Sequence, residues 1–313
     1  MKTAKIARRT LFLIPVVALL AILLPSLVST YYVGLAVQVF IMAIFAMSLN
    51  ILVGHVGLPS LGHAAYFGVA AYSTGFLYLA GIKNFWWVMT LGMGIGGLTA
   101  ALFGLLATRA RGAYFMLVTL ALSQVLWGIA FKWRSFTGGD DGLPGIRRPE
   151  VFGIDLTPYS HFYYFSFIIF LIVLLALFIL LNSPFGYALR GIRESESRMK
   201  ALGYNVWLYK YMAFFFAGLF AATSGVLWCY YTGYVSPVNL GMDVSAEGLL
   251  MVILGGSGSL LGPAIGSGII VLLENLVSGF TERWSLILGI VYVVVIMFFS
   301  EGVSSILKRV RQE

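Results

Sequence analysis

The sequence predicts an all-α integral membrane protein with about ten transmembrane or partly re-entrant helices. Only 10% of the 313 residues are charged and 60% are hydrophobic, whereas about a quarter of the residues in a soluble domain are charged. The mean hydropathy is +0.94, so most of the protein surface must face lipid rather than water. Composition therefore excludes a soluble protein.

Apolar runs, broken at charges and turn residues, define the candidate spans. A helix needs about 20 mostly apolar residues to cross the hydrocarbon core. The run at 244–256 is shorter than this. The first run follows a basic N-terminus, but it contains Pro15 and lacks a clear cleavage site, so we interpret it as an uncleaved span rather than a signal peptide. The runs cover residues 11–30, 34–53, 64–81, 86–107, 113–131, 162–182, 211–232, 244–256, 261–279 and 284–302.

The distribution of Lys and Arg predicts the orientation of these spans. With the N-terminus in the cytoplasm, 14 of the 20 basic residues lie in cytoplasmic segments and 6 lie outside. Cytoplasmic loops carry an excess of Lys and Arg, so both chain ends are predicted to be cytoplasmic. Residues 1–313 then form a single membrane domain with an external loop at 132–161. The six external residues are Lys83, Lys132, Arg134, Arg147, Arg148 and Arg283.

A charged segment at 183–210 interrupts the apolar pattern on the predicted cytoplasmic side. Ser183 as N-cap, Pro184 in the first turn and Gly203 as a left-handed stop predict one helix of about five turns. The apolar side of this helix contains Leu189, Ile192, Met199 and Leu202. Its charged residues are Arg190, Arg193, Glu194, Glu196, Arg198 and Lys200.

The charged helix has two interpretations. Glu194 with Arg198, and Glu196 with Lys200, have the spacing of favourable ion pairs on a helix surface. A basic amphipathic helix can lie on anionic lipid headgroups. Mixed charges also suit docking to a soluble partner, because complementary charge gives specificity.

Two glycine-rich stretches, GHVGLPSLGHAA at 54–65 and GGSGSLLGP at 255–263, share a spacing of glycines that interrupts helices. Irregular backbone at membrane depth is tolerated only inside protein or beside a water-filled cavity. Paired interruptions in the two halves of a transporter point to a substrate path. Close packing of helices through small residues is the alternative, and both can hold.

Polar residues near these stretches are candidates for the path. His55 and His63 flank Ser60, but there is no G-x-S-x-G elbow and no third metal ligand nearby, so neither catalysis nor a metal site is expected. A carboxylate within a span costs at least about 2.5 kcal/mol. The expected path residues are Asn50, Ser60, His63, Thr119, Ser123, Glu247, Gly255, Gly258 and Glu274.

Five stretches resemble permease subunits of branched-chain amino acid ABC importers, the LivH/LivM family. The TGGDDGL motif makes the chain more similar to the LivM-type subunit. The stretches are NILVGHVGLPSLGHAAYFGVAAY (50–72), RGAYFMLVTLALSQ (111–124), TGGDDGLPGI (137–146), SPFGYALRGIRESESRMKALGYNV (183–206) and LLMVILGGSGSLLGPAIGS (249–267).

The resemblance implies a heterodimer with a second permease, two cytoplasmic ATPase subunits and an extracytoplasmic substrate-binding protein, in a bacterial or archaeal cytoplasmic membrane. The six charged residues of the predicted helix, from Arg190 to Lys200, would then contact an ATPase subunit. Asp140 and Asp141 lack the spacing of an EF-hand, and the resemblance favours contact with the binding protein over a plain solvated turn. The cargo would be branched-chain amino acids or a related small polar solute, such as urea or short amides.

The chain has no G-x-x-x-x-G-K-[ST] motif. We therefore expect a transport subunit rather than an enzyme, with no bound cofactor and with ATP used by partner subunits. Nucleic acid is not implied, whereas membrane lipid is. A stand-alone secondary transporter or channel is the alternative, although Glu247 and Glu274 are its only apparent coupling groups.

Overall fold

The computed structural model describes residues 24–279 together with residues 286, 289, 290 and 293. The predicted spans at 11–30 and 284–302 fall mainly outside these residues. The other eight predicted spans each correspond to a helix. The helices are α1 (Thr30–Asn50), α2 (Ala64–Leu79), α3 (Phe85–Ala107), α4 (Ala113–Lys132), α5 (Arg134–Thr137), α6 (Tyr159–Leu181), α7 (Pro184–Glu194), α8 (Glu196–Ala201), α9 (Val206–Thr232), α10 (Met242–Gly255) and α11 (Gly262–Ser278).

Five helices are long and apolar enough to cross a membrane, which confirms the prediction of a helical membrane protein. They are α1 with its π-helical extension to Val56, α3, α4, α6 and α9. By contrast, α2, α10 and α11 have 16, 14 and 17 residues. At 1.5 Å per residue they are roughly 21 to 26 Å long, shorter than the hydrocarbon core of about 30 Å. The short helices flank the two glycine-rich stretches, as expected for interrupted spans.

Helix α9 lies at the centre of the bundle and packs against α1, α2 and α3. Small residues allow this close approach: a Cβ atom at Gly92 of α3 would lie 2.8 Å from Val226. On α9, a Cβ at Gly218 would overlap the methyl group of Ala100, and one at Gly225 would overlap the carbonyl of Phe67. Small residues are the usual means by which membrane helices approach each other closely, because lipid offers no hydrophobic driving force between them.

The loop predicted to be external is ordered by short elements. It contains α5, a 3₁₀ turn at Gly139–Asp141, and the strands β1 (Leu143–Pro144), β2 (Glu150–Val151) and β3 (Ile154–Asp155). β2 pairs with β3, and β1 pairs antiparallel with β4 (Tyr234–Val235), which follows α9. The pairing of β1 with β4 therefore attaches this loop to the end of the central helix.

The charged segment differs from the single five-turn helix that the sequence predicted. Ser195 is extended (φ −162°, ψ 106°) and separates α7 from α8. Its hydroxyl accepts a hydrogen bond from the backbone N–H of Arg198 at 3.3 Å, so that Ser195 caps a second helix. The break also changes the buried face: Leu202 is 66% exposed, contrary to prediction, whereas Leu189, Ile192 and Met199 are buried as expected.

The two ends of the charged segment follow the predicted geometry. Pro184 occupies the first turn, although the Ser183 hydroxyl donates to the Leu180 carbonyl at 2.7 Å instead of capping α7. Gly203 has a φ of 87°. The N–H of Gly203 donates to Lys200 at 3.0 Å and that of Tyr204 donates to Met199 at 3.1 Å. These are the two bonds of a Schellman motif, which ends α8.

Candidate functional site

The two glycine-rich stretches meet beneath the charged segment. After Asn50 the chain continues as a π-helical turn (Ile51–Val56), which Gly57 ends with a φ of 80°. In the second stretch, Gly256 and Gly258 have φ values of 98° and 85°. Such backbone conformations are open to glycine at little steric cost. Both interruptions therefore depend on glycine to change the direction of the chain.

Asn50 joins the two stretches. Its side chain is 1% exposed, accepts a hydrogen bond from the Gly258 N–H at 3.0 Å and donates one to the Ser259 carbonyl at 2.8 Å. The Asn50 carbonyl also accepts from Nδ1 of His55 at 3.2 Å. The Asn50 side-chain amide thus pairs with the Gly258 N–H and the Ser259 carbonyl, which have no helical partners because the second stretch is interrupted. Buried backbone groups need such hydrogen-bond partners.

Gly54 lies where the two stretches cross. A Cβ atom on Gly54 would lie 2.8 Å from Cα of Gly258, and closer still to the Gly258 nitrogen and the Asn50 side-chain oxygen. The contact is therefore backbone against backbone, and no larger residue fits without a shift. We call Asn50, Gly54, Gly57, Gly258 and Ser259 the glycine crossing. Close packing and interruption of the helices occur together here.

The charged segment contacts the glycine crossing directly through Arg193. Its Nη1 donates a hydrogen bond to the Gly54 carbonyl. A Cβ atom at Gly57 would lie 3.1 Å from the Arg193 Cγ, and one at Gly258 would lie 3.2 Å from its Nη1. The arginine side chain therefore passes over Gly57 and ends between the two stretches.

A second set of contacts fixes α8 to the rest of the bundle. Lys210 near the start of α9 is only 3% exposed, and its Nζ forms an ion pair with the Glu196 carboxylate. Arg111, in the turn between α3 and α4, lies 3.8 Å from the other carboxylate oxygen. Within the described part of the chain these are the ion pairs found, so the predicted pairs of Glu194 with Arg198 and of Glu196 with Lys200 are wrong.

The remaining charges of this segment fall into two groups. Arg190 donates to the Leu181 carbonyl at 2.8 Å, at the end of α6, and lies over the ring of Tyr187. Glu194, Arg198 and Lys200 are exposed, and their side chains form neither an ion pair nor a hydrogen bond with the described residues. Three of the six predicted contact residues therefore have internal partners, and three are free to meet another molecule.

His63 is buried and bound within the chain. The Ser48 hydroxyl donates to the Phe45 carbonyl at 2.6 Å and lies 2.8 Å from Nε2 of His63. Because the Ser48 proton is already used, Nε2 must carry a proton and donate it, which leaves Nδ1 as the acceptor. That Nδ1 has no hydrogen-bond partner. The imidazole therefore links the start of α2 to Ser48 of α1 and is not paired with Ser60 as a catalytic base.

Three other predicted path residues bond to backbone groups of this chain. Thr119 donates to the Met116 carbonyl at 2.9 Å and accepts from the Leu61 N–H at 3.3 Å. Ser123 donates to the Leu240 carbonyl at 3.1 Å, and Ser60 accepts from Gly62 at 3.3 Å. All three side chains are buried. They hold loops against helices in this conformation, and their role in a path remains a prediction.

Two acidic residues on α10 and α11 are candidates of a different kind. Glu247 and Glu274 are partly exposed, and the two helices pack together. Neither carboxylate has a hydrogen-bond or ion-pair partner among the residues that the structure describes. An unpaired carboxylate within an apolar helix is costly, so that each remains a functional candidate. Gly255 on α10 instead packs against the backbone of Gly262.

The opposite end of the bundle holds a cavity of about 230 Å³. It lies between the ends of α1, α6, α9 and α11 and is bordered by Tyr31, Gln38, Tyr159, Tyr231 and Asn275. Sequence reasoning missed it, because each helix contributes only one or two polar residues.

Asp140 and Asp141 lie in the exposed 3₁₀ turn of the external loop.

Comparison with known proteins identifies the family. Residues 31–298 match the model of the branched-chain amino acid transport system permease component. The chain is 28% identical to the high-affinity branched-chain amino acid transport system permease protein LivM of Salmonella typhimurium and 29% identical to LivM of Escherichia coli. Each alignment covers 94% of this chain and 75% of the relative. The resemblance to the LivM-type subunit is therefore confirmed.

More distant relatives agree with this assignment. A probable branched-chain amino acid transport permease protein LivM of Methanocaldococcus jannaschii is 26% identical over 79% of this chain and 81% of the relative. A tyrosine transport system permease protein of Clostridioides difficile is 25% identical over 71% and 72%. No solved structure matches the chain. The chain belongs to the family of permease components of branched-chain amino acid transport systems.

Proposed function

We propose that this chain is one of two different permease subunits of an ABC importer in a bacterial or archaeal cytoplasmic membrane. The observation that carries the proposal is the charged helix pair, α7 and α8. It presents Glu194, Arg198 and Lys200 outward and is tied to the glycine crossing through Arg193. Exposed charges of both signs suit a soluble partner, and two cytoplasmic ATPase subunits would supply the energy of transport.

In this proposal the chain moves solute without chemistry of its own. ATP binding to the partner subunits would draw the charged helix pair toward them, and the attached helices would switch between outward-open and inward-open states. The two nucleotide states must stabilise the two conformations differently, since a ligand shifts an equilibrium only by its differential affinity. Asp140 and Asp141, exposed in the external loop, would contact an extracytoplasmic substrate-binding protein.

The proposed substrate class is branched-chain amino acids. The relatives named LivM support this class, whereas the relative named as a tyrosine permease supports a larger side chain. Urea and short amides are the further candidates. Competition against leucine uptake by isoleucine, valine, tyrosine, urea and acetamide would rank these solutes.

The test is uptake by proteoliposomes. The chain is purified alone and together with a second permease and two ATPase subunits of the same importer, and leucine uptake is measured with and without enclosed ATP and the binding protein. We expect uptake only from the complete complex with ATP. Uptake by the chain alone, independent of ATP, would instead support a stand-alone carrier or channel and would overturn the proposal.

Charge reversal tests the docking surface. Arg198→Glu with Lys200→Glu should lower the amount of ATPase subunits that co-purify with the chain at least tenfold, because complementary charges become repulsive. Lys83→Glu is the matched control, since Lys83 is exposed in the turn between α2 and α3, on the predicted external side. If the unmodified chain, the double charge-reversal variant and Lys83→Glu all recover the same amount of ATPase subunits, the docking surface lies elsewhere.

A further inference from the structure

We propose that Arg193 transmits the movement of the charged helix pair to the glycine crossing, and that it does not serve as an ATPase contact. It acts as a positioning residue: its guanidinium bonds to the backbone of the first interrupted span at Gly54 and lies beside Gly258 of the second. The inference rests on the proposed function, because the movement comes from ATPase subunits. Arg193 is one of the six charged residues that the sequence analysis predicted as ATPase contacts, and the inference gives it a different role.

The position of the arginine supports this role. Arg193 is exposed, as Arg198 is, but its Nη1 donates a hydrogen bond to the Gly54 carbonyl, which Arg198 does not contact. The side chain passes over Gly57 and ends beside Gly258, at separations of 3.1 and 3.2 Å from the Cβ positions of these glycines. Any larger residue at either position would crowd the arginine, so the two glycines open the passage that the guanidinium occupies.

The glycine crossing is built so that displacement of one stretch moves the other. Gly54 is in backbone contact with Gly258, and Asn50 holds both the Gly258 N–H and the Ser259 carbonyl. A force applied at the Gly54 carbonyl therefore acts on α1 and, through Asn50, on the turn between α10 and α11. A single charge-assisted bond thus reaches the breaks in both halves of the chain.

The other charged residues of the helix pair have different roles. Arg190 bonds to the end of α6, and Glu196 bonds to α9 through Lys210. Among the described residues, Arg193 alone joins the helix pair to the glycine crossing by a side-chain bond. Arg198 carries the same charge on the exposed face and has no side-chain partner in the described ranges, so it offers a matched comparison.

The test uses the complete transporter in proteoliposomes and separates docking from transmission. A cysteine at Ser257, which is exposed in the turn between α10 and α11, reports on the crossing when the buried Cys229 is replaced by alanine. Labelling by a membrane-impermeant maleimide is measured without nucleotide and with ADP trapped by vanadate after hydrolysis of ATP. ATPase subunits bound, ATP hydrolysed and leucine taken up are measured on the same preparations.

With Arg193 intact, the labelling rate should differ between the two nucleotide states. Arg193→Ala should keep the ATPase subunits bound, abolish the difference in labelling and lower leucine taken up per ATP hydrolysed at least tenfold. Arg193→Lys should restore part of the coupling, because an ammonium group still donates to the carbonyl but lacks the reach and planarity of the guanidinium. Arg198→Ala should weaken ATPase binding and leave the coupling of the assembled fraction intact.

Other results would overturn the inference. If Arg193→Ala releases the ATPase subunits, Arg193 is a docking residue. If it keeps both the labelling difference and the coupling ratio, it transmits nothing. If Arg193→Ala is not recovered as folded protein, the same measurements are made on Arg193→Lys, which keeps the charge and a hydrogen-bond donor. If Arg193→Lys is not recovered either, Arg193 has a structural role and the inference is wrong. Failure of the proposed function looks different: the unmodified complex would then lack ATP-dependent uptake.

Discussion

Replacing Gly54 with alanine is predicted to separate the two interrupted spans. The new methyl group would lie 2.8 Å from Cα of Gly258, whose backbone cannot give way, and still closer to the Asn50 side-chain oxygen. Overpacking of a well-packed interior costs about 1 to 3 kcal/mol. If Asn50 turns aside, its two bonds at 3.0 and 2.8 Å are lost as well.

Each of those hydrogen bonds contributes about 0.5 to 1.5 kcal/mol, so the whole substitution should cost roughly 2 to 6 kcal/mol. At about 2 °C per kcal/mol for a chain of this size, the midpoint of thermal unfolding in detergent should fall by at least about 4 °C. Scanning fluorimetry of the purified chain measures this midpoint.

The matched control is Gly128→Ala on α4, where, apart from the adjacent helix backbone, no atom lies within 4 Å of the position that a Cβ would take. Alanine should stabilise this helix by roughly 0.8 to 1 kcal/mol, because it loses less conformational freedom than glycine. If Gly54→Ala unfolds at the same temperature as Gly128→Ala, the spans do not cross in backbone contact at Gly54.

Three further predictions follow from single contacts. Asn50→Ala should destabilise the chain by about 1 to 3 kcal/mol through the loss of two hydrogen bonds, and an unchanged thermal midpoint would contradict this. Lys210→Met should cost only about 1 kcal/mol, since the Glu196 side chain is 30% exposed and can regain water. A double-mutant cycle with Glu196→Gln should give a coupling energy above about 0.5 kcal/mol, whereas additive effects would exclude the ion pair. The hydroxyl and the backbone N–H of Thr157 lower the pKa of Asp155, so these contacts stabilise the loop above the ordinary pKa and their contribution is lost as pH falls through the lowered one. Thr157→Val should therefore raise the pKa of Asp155 in carboxyl NMR titrations, and an unchanged pKa would contradict the assignment.

The membrane helices were predictable because hydrophobic length alone defines them. The interruptions were also predictable, since repeated glycines in an apolar run have few structural uses. The contact between these interruptions was not, because Asn50 and Gly258 are 208 positions apart and no local pattern records their meeting. Lys210 illustrates the same limit. The sequence shows that Lys210 is a basic residue of a predicted cytoplasmic segment, but its burial and its ion pair with Glu196 depend on how α8 folds back against α9.

The charged segment shows how a local signal can mislead. Pro184 and Gly203 mark the two ends of the helical segment correctly, but Ser195 was read as an ordinary helix residue rather than as a cap. Its extended backbone changes the helical phase, so Leu202 turns to solvent and the predicted ion pairs are lost. Arg193 could not be distinguished from Arg198 by sequence, because their difference depends on a carbonyl 139 positions away.

Paired spin-label distances in the complete transporter test the central claim that the charged helix pair and the glycine crossing move together. Labels are placed at Ser197 on α8, at Ser257 beside the crossing and at Lys83 on the opposite side of the bundle, all of them exposed. When nucleotide is trapped by vanadate, the distance from Ser197 to Ser257 should stay constant, while that from Ser257 to Lys83 should change. A change in the first distance with none in the second would contradict the account.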